Sequence, residues 1–127
     1  MSDAGVGAAP PQVLVVGADA DAVAFVTAMI NRAGIVAISS TSGHAAATAN
    51  ANPPGVVLVD RDLAPVRSIR ALADPRKAAT PIVVLGSGGA EEGEADEAQD
   101  AGATHYVPRP ITEAALLNGL RSILGPA

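Results

Sequence analysis

The chain has 127 residues, a length at which one hydrophobic core is the default. Hydrophobic residues make up 49 % and charged residues 17 %, which excludes disorder as a description of the whole chain. A formal charge of −5 argues against general nucleic-acid binding, and the lack of cysteine excludes disulfides and thiolate metal sites.

No apolar run reaches the length of a transmembrane span, and residues 1–12 lack the basic start and apolar core of a signal peptide. The expectation is a soluble, cytoplasmic protein with neither membrane nor nucleic acid as a partner. With a single Phe and a single Tyr, the core must be built from small aliphatic side chains.

Residues 1–11, "MSDAGVGAAPP", read as a flexible tail closed by Pro10 and Pro11. Residues 12–125 then read as a single domain. Gln12–Val16 is a continuous apolar run, the pattern of a strand covered on both faces. From Ala20 to Ala33 the period changes, and Val23, Val26, Met29 and Ile30 define one face of a helix that Gly34 is placed to end. "IVAISS" is a second strand. His44 to Asn52 is an alanine-rich helix halted by "NPPG", and "VVLVD" is a third strand.

A short helix around Val66, Ile69 and Leu72 follows, then a fourth strand in "TPIVVLGS". Residues 90–101 have only alanines as apolar residues and are interrupted by Gly93, so a weak, mobile helix is expected there. "THYVP" is the fifth strand. Glu113 to Leu124 is the last helix, packed through Leu116, Leu117, Leu120, Ile123 and Leu124.

Five short apolar strands alternating with helices make a doubly covered parallel α/β sheet, because parallel neighbours need crossover connections. Ligands in such sheets sit beyond the carboxyl ends of the strands. The residues placed there are Gly17, Ala18, Asp19, Asp60, Gly86, Ser87, Pro108 and Arg109.

Among them Asp19 immediately precedes a helical pattern and reads first as an N-cap, with metal ligation as the alternative. Asp21 reads as an exposed first-turn acid. Asp60 ends a buried strand and needs a partner; an ion pair with Arg109 and a functional acceptor or ligand role both remain open. Ser87 either bonds Asp60 or caps the segment after it. No enzyme signature emerges: "GSGG" lacks the following Lys-Ser/Thr of a phosphate loop, and "GADAD" lacks dinucleotide-fingerprint spacing. His44 and His105 have no nucleophile-elbow pattern to serve.

The order of these pieces resembles the receiver domain of two-component response regulators over nearly the whole chain after the tail. "VLVVGADAD" is similar to the first strand and its acidic loop, and "VVLVDRDLAP" to the strand carrying the phospho-accepting aspartate. "TPIVVLGS" resembles the fourth strand and switch turn, and "AGATHYVPRPI" the fifth strand with its basic-proline turn. The resemblance implies a flavodoxin-like fold with strand order 2-1-3-4-5, an acceptor at Asp60, and a histidine kinase or output domain as partner.

It also exposes departures. The pair of metal carboxylates after the first strand falls on Gly17 and Ala18, the switch hydroxyl on Gly86 with Ser87 one place later, and Arg109 replaces Lys. The usual proline four residues after the acceptor is Ala64, and only Asp60, Tyr106 and Pro110 match cleanly. A degenerate receiver acting by protein–protein contact is therefore expected, with no cofactor, or with Mg²⁺ held only weakly by Asp19 and Asp60. A divergent receiver phosphorylated on Asp60, and a small-molecule or nucleotide sensor using the same crevice, are the alternatives. The implied interaction and dimerisation face spans 90–124, with Tyr106, Glu94, Glu97 and Leu117 as its candidate residues.

Overall fold

The computed structural model describes residues 12–17, 19–51, 54–60, 63–86, 93–107 and 112–124. The expected tail, 1–11, lies outside them. Five parallel strands form one sheet: β1 (Val13–Gly17), β2 (Ala37–Thr41), β3 (Val56–Asp60), β4 (Ile82–Leu85) and β5 (His105–Val107), in the order β2-β1-β3-β4-β5. The expected fold class and strand order are those observed.

Every residue of β1 and β3 is buried, which is why both read as unbroken apolar runs rather than alternating ones. The pleat sorts their side chains to two sides. Val13, Val15, Val56 and Leu58 pack with α1 (Ala20–Arg32) and α6 (Glu113–Leu124). Leu14, Val16, Val57 and Val59 pack with α2 (Ala45–Ala51), α3 (Ala64–Arg70) and α5 (Glu94–Ala101). As expected, the core is aliphatic throughout, and the single Phe, Phe25, is left 63 % exposed on α1.

Helix ends follow the local chemistry. Gly34, at φ 88, follows the last turn of α1, and its N–H donates to the Asn31 carbonyl at 3.0 Å. Asn31 also guards the outer edge of β2: its Oδ1 accepts from the Ala37 N–H at 2.8 Å, and its Nδ2 donates to the Ala37 carbonyl at 3.3 Å. The side-chain amide so replaces a neighbouring strand on the outer side of that residue.

Two details depart from the sequence reading. A 3₁₀ turn, Ser42–His44, precedes α2, and His44 Nδ1 lies 2.8 Å from Thr41 Oγ1. An unexpected one-turn helix, α4 (Pro75–Ala78), follows α3. Its signal is in the sequence: Asp74 caps it, accepting from the Arg76 N–H at 2.9 Å, and Pro75 occupies its first turn, where no N–H is needed. Among the described residues no helix is long and apolar enough to cross a membrane.

Leu58, fully buried, and Phe25 give opposite expectations. Leu58→Ala lowers unfolding free energy by about 2–5 kcal/mol, whereas Phe25→Ala stays within about 0.5 kcal/mol, both read from urea midpoints.

Candidate functional site

The carboxyl ends of β1, β3 and β4 meet in one row, with Gly17 opposite Asp60 and Asp60 opposite Leu85. Asp60 is 6 % exposed, one of two buried polar residues among those described. Its pleat parity with Val56 and Leu58 puts its side chain on the α1/α6 side of the sheet. It is held by a further interaction and is not a lone buried carboxylate.

Gly17 sits in a tight space, where a side chain requires its neighbours to shift. A Cβ built there would lie 2.7 Å from Val23 Cγ2 and 3.2 Å from Asp60 Cβ. Val23 belongs to the first turn of α1, so a methyl of that helix occupies the space where a side chain at Gly17 would begin. Asp19 begins that helix. Its Oδ1 accepts from the Asp21 N–H at 3.0 Å and the Ala22 N–H at 3.3 Å, the N-cap geometry expected first from sequence.

A magnesium ion needs six oxygen ligands near octahedral geometry. Among the described residues no three His, Asp or Glu side chains converge well enough to hold a metal. Asp60 is buried, one oxygen of Asp19 is committed to backbone, and Gly17 offers no donor. Among the described residues, Asp60 and Asp19 are carboxylates at this end of the sheet, and these two alone do not complete a magnesium ligand set.

Ser87, Arg109, Ala18, Asp62, Pro108 and Pro110 lie outside the described residues, and with them the expected Asp60–Arg109 pair and the Ser87 contact. Gly86 is described, and its N–H donates to the Val107 carbonyl at 2.8 Å, tying the end of β4 to β5.

The 90–124 face is built from α5, β5 and α6. Glu97 is exposed on α5, and Glu94 starts that helix. Tyr106 is half-buried on the α3/α5 side, opposite in parity to Asp60, and lines grooves on both flanks of β5. Leu117 is not a surface residue in this fold. At 8 % exposure it packs with Leu116 and Leu120 in the core, because those three form the inward stripe of α6. Sequence reasoning passed over Gly119, which lines a cavity of about 140 Å³ between α6 and β5, with Val107 and Ile123 among its other walls. A mid-helix glycine was the available signal.

No protein-family model and no curated protein matches the sequence. Solved structures do resemble the fold. The receiver domain of a sensor histidine kinase from Pseudomonas aeruginosa PAO1, with magnesium coordinated in its own active-site cleft, is 23 % identical at a TM-score of 0.73; the match covers 93 % of this chain and 100 % of that one. The chemotaxis protein CheY4 of Vibrio cholerae is 21 % identical with a TM-score of 0.75, covering 91 % of this chain and 99 % of that one. A response regulator receiver protein from Pseudomonas putida is 24 % identical at 0.75, covering 91 % and 98 %. The chain has the fold of these receiver domains.

The crowding at Gly17 is testable by a double-mutant cycle. Gly17→Ala costs about 1–3 kcal/mol through overpacking. In its background Val23→Ala, which removes the clashing methyls, costs less than it does in the parent, a coupling that urea unfolding of the four proteins measures.

Proposed function

We propose that this chain is a receiver-type domain of two-component signalling that works through protein–protein contact, with Asp60 at the acceptor position and ordinary magnesium-dependent phosphorylation lost. One observation carries the reading. At a position where the receiver pattern calls for a metal-binding acid, Gly17 stands with Val23 and Asp60 packed against the space its side chain would need. Phosphoryl transfer needs positive charge to offset what develops on the equatorial oxygens, and the metal supplies much of it. Arg109 in place of lysine brings a rigid fork rather than a compact ammonium, so the basic contact changes as well.

Output then rests on surface contacts with a signalling partner, a histidine kinase or an output domain, or with a second copy through the α5–β5–α6 face. The exposed acids Asp96, Glu97 and Asp100 on α5 and the apolar groove at Gly119 support that assignment.

Incubation with Mg²⁺ and a small phosphodonor, read by intact mass, is expected to leave the protein unlabelled. Stoichiometric phosphorylation that disappears in Asp60→Asn overturns the proposal in favour of a phosphorylatable receiver. The contact face has its own test. A Cβ at Gly119 meets nothing within 4 Å, so Gly119→Ala is free of clash and raises stability by about 0.5–1 kcal/mol through helix propensity. It also narrows the groove, and is expected to weaken dimerisation on this face in sedimentation experiments.

A further inference from the structure

Helix α5 has little to hold it against the sheet. Of its described side chains only Ala98 is fully buried, and Asp96, Glu97 and Asp100 face water. Gly93 begins it with no side-chain cap. Its other end is held firmly by one residue from another helix.

Arg70, the last residue of α3, reaches across the amino-terminal end of the sheet. Its Nε donates to the Gly102 carbonyl at 2.9 Å, and its Nη1 donates to the carbonyls of Ala78 and Thr80, each at 2.6 Å. A longer contact, 3.5 Å, joins Nη2 to Thr104 Oγ1, which itself accepts from the Ile82 N–H at 3.1 Å. One guanidinium thus gathers the end of α4, the entry to β4, the residue ending α5 and the entry to β5. All four acceptors belong to uncharged groups, and burial pushes Arg70 below its ordinary value. The packing is reciprocal: Gly102 has φ 117, and a Cβ there would fall 2.7 Å from Arg70 Cγ. Gly102 is therefore required both for the left-handed turn and for the arginine lying on it.

We propose that Arg70 is a clamp on α5, a positioning residue that decides whether the acidic helix and strand β5 stay docked, acting from the end of the sheet opposite Asp60. Hydrogen bonds from an ionised donor are roughly twice as strong as neutral ones, and lysine has no fork to serve three carbonyls at once. The clamp is therefore expected to be a matter of geometry as much as of charge.

Hydrogen exchange on the full chain tests it. Arg70→Met is expected to lower protection of amides in 94–107 by about tenfold or more, the loss of one strong hydrogen bond, with β1 and β3 unchanged. Arg70→Lys gives the same regional pattern in milder form. Gly102→Ala reproduces it from the other side, and the double variant with Arg70→Met loses no more than the worse single one. Since Tyr106 is the only tyrosine and there is no tryptophan, its fluorescence reports β5 alone; acrylamide quenching is expected to rise in all three variants. Unchanged exchange in 94–107, or an equal loss across every strand, overturns the proposal. Should Arg70→Met fail to fold, Arg70→Lys is judged by the same two criteria.

Discussion

The close approach of β1 to β3 is the constraint on which the rest of this structure depends. Both strands are buried along their whole length, so each backbone polar group must be paired within the sheet, and the two strands lock residue against residue from Val13↔Val56 to Gly17↔Asp60. The helices have no choice but to cover them on two sides. Where the strands end, the same tightness leaves Val23 and Asp60 both bordering the space a side chain at Gly17 would enter.

The two ends of the sheet differ in kind. At the carboxyl end a buried aspartate sits beside a glycine that cannot be enlarged without moving the Val23 side chain. At the amino end a single arginine collects three carbonyls from two connections, α4 to β4 and α5 to β5. The first arrangement bears on what chemistry the domain supports, the second on how firmly its acidic helix is held. They are linked through α3, which leaves the Asp60 strand and delivers Arg70 one helix later.

The surface divides along the same lines. On α6, Leu116, Leu117 and Leu120 are consumed by the core, and Gly119 lines the groove that remains against β5. Phe25 stands in water on α1 while smaller residues fill the interior, which means that side-chain size did not decide burial here. Position on the helix did. The Arg32–Glu113 pair joining α1 and α6 at 3.8 Å is exposed on both sides, and such pairs contribute about 0–1 kcal/mol. Apolar packing holds those helices in place.

Sequence by itself determined the alternation of strands and helices, the parallel two-sided sheet and the position of Asp60 at a strand end. It also marked Asp19 and Gly34 at the ends of α1. These are local signals, since periodicity, caps and strand runs are written in neighbouring residues. The Asp74–Pro75 start of α4 was equally local and equally readable. Only the tertiary structure decided that Leu117 is core, that Val23 fills the space beside Gly17, and that Arg70 reaches Gly102 thirty-two positions away. Such facts depend on which elements the crossovers bring side by side, and on gaps of a few ångströms between them, which no pattern along one segment encodes.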